Sequence, residues 1–194
     1  MIQVFNINEG LFWALMDLNE FAVLKNISLK REIESQGKNH LIDFLLKKTI
    51  QIDYDNNGKP FLKGDSRHIS ISHSFGKLAI IVNEHQTTGI DIEIIRDKVL
   101  TVKHKFLSLS ELEDAGEDIE KLLIYWSAKE TLYKIYGVKQ INFIQHLSVK
   151  PFTKNLSGNL VGSVQFSNTN IELFELNYHF IQNYVIVYCV KRLN

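Results

Sequence analysis

Two acidic residues alternate with isoleucines in the segment 90–94, Ile-Asp-Ile-Glu-Ile. This alternation predicts a β-strand that projects Asp91 and Glu93 from one face and the isoleucines from the other. Neighbouring carboxylates repel each other unless a cation or a proton lies between them, and Mg²⁺ commonly binds one or two carboxylates together with phosphate oxygens and water. The pair is therefore a candidate magnesium site, although the same pattern is typical of a strand with a solvated face.

A second candidate group lies on a predicted helix, where Trp126, Glu130 and Lys134 follow one another at four-residue steps. Residues at this spacing share one helix face, so an aromatic ring, a carboxylate and an ammonium group could contact one ligand. The alternative is a solvated glutamate–lysine pair, which stabilises a helix by only a few tenths of a kcal/mol.

A third group is the serine-rich segment 70–74, Ser-Ile-Ser-His-Ser, which contains Ser72 and His73. Hydroxyl groups, an imidazole and the amides of a turn could hold a phosphate, and a protonated His73 would add positive charge. The alternative is a serine-rich turn with a hydrogen-bonded structural histidine. Lys59 likewise follows a turn at Asn56-Asn57-Gly58 and could be an exposed lysine at the end of a hairpin.

The elements around these groups are predicted from periodicity and from turn and capping signals. In the first half we expect a strand at 3–7, helical material in which Leu11, Leu15, Leu18 and Ala22 share a face, a hairpin at 52–62, and antiparallel strands at 68–74 and 78–82. In the second half we expect the strand at 90–94, a capping box at Ser108 and Glu111, a helix from about Asp118 to Gly137, and strands at 160–166, 171–176 and 180–190. The predicted class is α+β, with two similar-sized lobes, residues 1–88 and 89–194.

Composition excludes some classes of function. Lysine and arginine together number 22, as do aspartate and glutamate, so no overall charge would attract the 194-residue chain to nucleic acid or to an anionic membrane. The single cysteine, Cys189, lies in the apolar run 184–190 and is expected to pack in the core. That run is far shorter than the ~20 apolar residues of a membrane helix, and the N-terminus does not resemble a secretory signal. We therefore expect a cytoplasmic protein.

The motifs together resemble the two-lobed, surfactin-synthetase-activating type of 4′-phosphopantetheinyl transferase. The resemblance rests on their order and spacing along the chain: Gly58-Lys59-Pro60, Ile71-Ser72-His73-Ser74, Gly89-Ile90-Asp91-Ile92-Glu93, Phe106-Leu107-Ser108 with Glu111, and Trp126-Ser127-Ala128-Lys129-Glu130 with Lys134. Each motif is weak alone, but the ordered set is specific.

The resemblance implies two similar α/β lobes in a pseudo-twofold arrangement, with coenzyme A bound between them. It assigns Mg²⁺ to three carboxylates, those of Asp91, Glu93 and Glu130. It assigns Lys134 to the pyrophosphate, and the 3′-phosphate and adenosine end of coenzyme A to Ser72, His73 and Lys59. Members usually carry an arginine in the first-lobe helix, and Lys38 is the candidate that takes its place here.

The implied reaction is that of a holo-[acyl-carrier-protein] synthase type enzyme. A serine of an apo acyl or peptidyl carrier protein attacks the β-phosphate of coenzyme A, and 3′,5′-ADP leaves. Lys134 stabilises charge on the phosphoryl oxygens, and Glu130 is the candidate base. Because one chain contains both lobes, we expect a monomer. Two alternatives remain open: a degenerate paralogue that binds carrier protein or nucleotide without transfer, and a metal-dependent phosphohydrolase.

Overall fold

Two antiparallel sheets form the framework, one from each half of the chain, in a computed structural model that describes residues 1–138, 140–167 and 170–193. The strands of the first half are β1 (Ile2–Asn8), β2 (Leu11–Asp17), β3 (Ile52–Tyr54), β4 (Pro60–Leu62), β5 (His68–Ser74) and β6 (Lys77–Asn83). Those of the second half are β7 (Ile90–Ile94), β8 (Leu147–Val149), β9 (Ser157–Ser167), β10 (Asn170–Ile181) and β11 (Tyr184–Leu193). The sheet orders are β1-β2-β6-β5 and β7-β11-β10-β9-β8, and β3 and β4 form a separate hairpin.

The described residues form five α-helices: α1 (Leu18–Lys25), α2 (Lys30–Leu46), α3 (Lys98–Val102), α4 (Leu109–Ala115) and α5 (Ile119–Tyr136), with a short 3-10 turn at Lys103–Lys105. Helices α1 and α2 pack against the four-stranded sheet and form one core with it. Helix α5 packs against the five-stranded sheet in a second core. A third core lies between the two sheets, and it contains Ile90 and Ile92 of β7. The predicted α+β class is confirmed.

The prediction of helix from Leu11 was wrong for the stretch that forms β2. This strand lies between β1 and β6, and its side chains are buried on both faces. Trp13 enters the core between the sheets, whereas Met16 enters the core under α1 and α2. A strand buried on both faces is apolar throughout, so its residues can match helical spacing by coincidence. The helix begins only at Leu18, where the Asp17 carboxylate accepts hydrogen bonds from two backbone amides.

Other predicted elements are confirmed with small shifts. The capping box at Ser108 and Glu111 is present, and α5 runs from its N-cap at Asp118 to its C-cap at Gly137. The predicted strand 180–190 is divided in the structure, because Ile181 ends β10 and a turn precedes Tyr184. The division of the chain at Thr88 into two lobes remains our proposal.

Candidate active site

Strand β7 and helix α5 come into close contact at the start of the strand. A Cβ atom on Gly89 would lie 2.2 Å from the backbone oxygen of Thr131, so only glycine permits this approach. The Thr131 hydroxyl donates to the carbonyl of Val187 on β11, 3.0 Å away, and holds the helix on the sheet. As a result, the polar face of β7 is directed at the middle of α5.

Asp91 lies at the centre of this contact and is only 4% exposed. Its Oδ1 atom accepts hydrogen bonds from Lys134 Nζ at 2.7 Å and from Ser72 Oγ at 2.8 Å. Lys134 also donates to the backbone oxygen of Ile90 at 3.0 Å. The second oxygen, Oδ2, is buried and has no hydrogen-bond partner among the described residues. A buried carboxylate oxygen without a donor is unusual and indicates a place for a ligand or an ion.

Glu93 is held at both of its carboxylate oxygens. The indole nitrogen of Trp126 donates to Oε1 at 3.1 Å, and Ser74 Oγ donates to Oε2 at 3.0 Å. The indole itself packs edge-on against Phe106, with ring centroids 4.9 Å apart. Burial raises the pKa of Glu93, and the negative charge of Asp91 raises it further. Glu93 is therefore fixed in orientation but carries its charge in an unfavourable environment.

Glu130 is the third carboxylate of this group, which we call the acidic cluster (Asp91, Glu93 and Glu130, with Lys134). Burial raises its pKa to about 7, and the charges of Asp91 and Glu93 add to that shift while Lys134 opposes it. No hydrogen bond or ion pair of its carboxylate is present within the described part of the chain. A carboxyl group that titrates near neutral pH is suited to general acid–base chemistry.

The donor chemistry of the acidic cluster fits a hard cation. As they stand, the described residues contain no group of three histidine, cysteine, aspartate or glutamate side chains arranged to hold a metal ion. Several carboxylate oxygens are instead engaged by Lys134, Ser72, Ser74 and Trp126. Even so, the free Oδ2 of Asp91 and the carboxylate of Glu130 are oxygen donors of the kind that Mg²⁺ prefers, and a cation would relieve the repulsion that raises the Glu130 pKa.

A cationic cavity of about 260 Å³ adjoins the acidic cluster. It lies at the meeting point of α2, the β3–β4 hairpin, β5 and α5, and its lining includes Lys38, Tyr54, Lys59, His73, Tyr133 and Lys134. Four of these side chains are cationic or can become so. The cavity and the acidic cluster share Lys134, whose Nζ reaches Asp91.

Three of the cationic side chains have other contacts as well. Lys38 donates to the hydroxyl of Tyr54 at 2.8 Å, and Lys59 donates to the backbone oxygen of Ile135 near the C-terminus of α5. Burial lowers the pKa of Lys59. His73 is exposed, and its Nδ1 atom lies 3.9 Å from a carboxylate oxygen of Glu34. The fold thus brings Lys38, Lys59 and His73 into one cavity, and Lys59 also binds a carbonyl in the last turn of α5.

Comparison with known proteins decides the family. A family model described as the 4′-phosphopantetheinyl transferase superfamily matches residues 87–189, more than half of the 194-residue chain. The chain belongs to this superfamily. A search of curated proteins gave no significant match. The superfamily match includes the whole acidic cluster, whereas Lys38, Lys59, Ser72 and His73 lie outside it.

Two neighbouring residues of α5, Lys129 and Glu130, have side chains in different surroundings. Lys129 is fully buried and donates to Glu111 Oε2 at 2.7 Å and to the carbonyls of Phe106 and Phe143 at 2.7 and 2.9 Å. Its side chain therefore holds the segment before α4 and the segment after α5 together. Glu130, the next residue, belongs to the acidic cluster. These neighbours are one structural and one candidate catalytic side chain.

The structure does not place Ser72 with the other predicted nucleotide contacts. Its side chain is buried, and the hydroxyl is directed at Asp91. Sequence reasoning also missed two contacts of Glu93, those from Ser74 and from the indole nitrogen of Trp126. The alternation of serines at 70, 72 and 74 was a signal that could have indicated a hydroxyl-lined strand beside the carboxylates.

Finally, no helix in the described ranges is long and apolar enough to span a membrane.

Proposed function

We propose that this member of the superfamily transfers the 4′-phosphopantetheine group of coenzyme A to a serine of an apo acyl or peptidyl carrier protein. One observation carries the proposal: Lys134 joins a cluster of three carboxylates to a cavity lined by further cationic side chains. Coenzyme A has a pyrophosphate in its middle and a 3′-phosphate at its adenosine end, so it needs positive charge at two separated points. The paired sites offer this arrangement.

We assign the nucleotide end of coenzyme A to the cationic cavity. Lys38, Lys59 and His73 would neutralise the 3′-phosphate, and Tyr54 offers an aromatic face and a hydroxyl beside them. Lysine is a point charge without the fork of arginine, so this grip depends on several groups rather than on one bidentate contact. The pyrophosphate would then lie near Lys134, at the border with the acidic cluster.

We assign the chemistry to the acidic cluster. Asp91, Glu93 and Glu130 would hold Mg²⁺, which would neutralise negative charge on the phosphoryl oxygens. The carrier serine oxygen forms a bond to the β-phosphorus as the bond from that phosphorus to the bridging oxygen breaks, and 3′,5′-ADP leaves with the bridging oxygen. Glu130 accepts the serine proton as the base. Lys134 stabilises charge on the phosphoryl group.

The proposal is tested by intact mass spectrometry. The protein is incubated with coenzyme A, Mg²⁺ and a panel of apo carrier proteins, each paired with a variant in which the acceptor serine is alanine. We expect at least one carrier to gain the mass of one phosphopantetheine group, and its alanine variant to gain nothing. Coenzyme A binding without modification of any carrier would instead favour the degenerate paralogue. Phosphate release without a carrier would favour the phosphohydrolase.

A further inference from the structure

Three serines of β5 form hydrogen bonds across the junction of the two sheets. The hydroxyl oxygens of Ser70, Ser72 and Ser74 accept from the backbone amides of Ile90, Ile92 and Ile94, at 3.2, 3.3 and 3.3 Å. Each pair is separated by 20 residues, so the two strands run side by side in the same direction. The amides at this edge of β7 are thus satisfied by side chains and not by a neighbouring strand's carbonyls.

Two of the three serines have a second bond, to a carboxylate. Ser72 donates to Asp91 Oδ1 at 2.8 Å, and Ser74 donates to Glu93 Oε2 at 3.0 Å. A hydroxyl has one donor and two acceptor sites, so accepting from an amide and donating to a carboxylate fixes its rotation. Within the described residues, Ser70 has the amide bond but no carboxylate bond. The chain therefore contains its own comparison between a serine that only joins the strands and two that also hold a carboxylate.

We propose that Ser72 and Ser74 are positioning residues, which orient Asp91 and Glu93 for a divalent cation. This inference rests on the proposed function in taking those carboxylates as metal ligands. The carboxylates repel each other, and a hydroxyl donor on each one stabilises its charged form and limits its rotation. On Asp91, the bonds from Ser72 and Lys134 both go to Oδ1, so Oδ2 remains free for a ligand.

The assignment of Ser72 to the nucleotide stays a prediction, beside the positioning role proposed for its hydroxyl. Its side chain is 7% exposed, and its only proton is donated to Asp91. It follows that the first half of the chain contributes to the metal site without supplying a metal ligand. Hydrogen-bond partners of metal ligands typically change metal affinity by ~10- to 100-fold when they are removed.

The test compares Ser70→Ala, Ser72→Ala and Ser74→Ala by isothermal titration with Mg²⁺ in the absence of carrier, and by urea unfolding. Each variant loses one hydroxyl that joins β5 to β7, and Ser72→Ala and Ser74→Ala also lose a hydrogen bond to a carboxylate, so we expect Ser70→Ala to lose the least stability. Magnesium affinity should fall by ~10-fold or more in Ser72→Ala and Ser74→Ala and stay unchanged in Ser70→Ala. Ser72→Thr keeps the hydroxyl and should regain most of the affinity.

The inference is wrong if all three alanine variants bind Mg²⁺ as tightly as wild type, or if all three lose the same amount of affinity. It is also wrong if the wild type does not bind Mg²⁺. Coenzyme A binding by Ser72→Ala in excess chelator distinguishes a direct contact of Ser72 with the nucleotide from an effect through the metal site. We expect no change there, and a loss confined to that measurement would restore Ser72 to the nucleotide. Carrier modification by the wild type decides the proposed function independently, because magnesium affinities can be compared even if no carrier is modified.

Discussion

Lys129 and Glu130 are neighbours on α5, yet they belong to two charge clusters of opposite character. Lys129 and Glu111 form a closed pair, in which the ammonium donates to three acceptors. Both oxygens of Glu111 also accept backbone amides, one from Val149 at 3.0 Å and one from Ser108 at 2.8 Å. The charges balance, and the polar atoms are satisfied. This pair has nothing to offer a ligand.

The acidic cluster on the other side of the helix is neither balanced nor satisfied. Within the part of the chain that the structure describes, three carboxylates meet one ammonium, that of Lys134, and Asp91 Oδ2 is buried without a donor. Burial, together with the neighbouring negative charge, raises the pKa of Glu130 and Glu93, whereas both carboxylate oxygens of the buried Glu111 have hydrogen-bond donors. A buried charge with a partner of opposite charge stabilises one arrangement of the core. A buried charge without such a partner is typical of a functional site.

The largest predicted effect is on the closed pair. Lys129→Met removes the ammonium and leaves the buried Glu111 carboxyl without its partner, so the free energy of unfolding should fall by ~3–5 kcal/mol. Urea unfolding measures it. Lys154→Met is the matched control, because Lys154 pairs with Asp118 and Glu120 near the surface and its loss should change stability by ~1 kcal/mol or less. If the two variants are equally stable, the closed pair is not the structural element that we describe.

The next effect is on turnover at the acidic cluster. Glu130→Gln keeps the shape of the side chain but removes a negative charge and a proton acceptor, so transfer should slow by ~100-fold or more with the fold intact. Glu120→Gln makes the same change on the same helix, and it should transfer at the wild-type rate. Raising Mg²⁺ should rescue a ligand role but not a base role. Near-normal transfer by Glu130→Gln at ordinary Mg²⁺ would defeat both assignments.

A smaller effect concerns the stability of the metal-free protein, which Glu130→Gln should increase although the same change slows transfer. The folded pKa of Glu130, about 7, exceeds the ordinary value of 4.5, so the folded state binds the proton more tightly than the unfolded state. The metal-free protein therefore loses stability as pH rises from about 4.5 to 7, by an amount on the order of 1–3 kcal/mol. In excess chelator, Glu130→Gln should unfold at a higher temperature than wild type at pH 8, with the difference shrinking toward pH 4.5. If Glu130→Gln is less stable than wild type at pH 8 in excess chelator, the charge of Glu130 does not destabilise the acidic cluster as we describe.

Much of the fold was visible in the sequence where residue types alternate or where capping residues mark the ends of an element. Asp118 and Gly137 mark the ends of α5, and the alternation at 90–94 identifies β7. Strand β2 was missed because both of its faces carry apolar residues, which removes the alternation that would have distinguished it from a helix. Periodicity reports how apolar and polar residues alternate, so it identifies β7, although Asp91 is buried, and fails for β2, which is apolar on both faces.

The candidate site was predictable in its residue types but not in its connections. The sequence indicated that Asp91, Glu130 and Lys134 carry chemistry, and the structure brings them together at the contact of β7 with α5. It could not show that Ser72 turns away from the cationic cavity, because strand direction across the sheet junction depends on tertiary packing. The division of Lys129 and Glu130 between two clusters has the same origin: their side chains leave the helix in different directions and meet different segments.

The most direct test of the account is a calorimetric titration of the chain with Mg²⁺ at several pH values. The acidic cluster should bind one ion, with an affinity that rises between pH 6 and 8 as the proton leaves Glu130. Binding should disappear in Asp91→Asn and persist in Glu113→Gln, an exposed carboxylate on α4. Identical binding curves for wild type and Asp91→Asn would contradict the central claim that the unmatched carboxylates form the metal site.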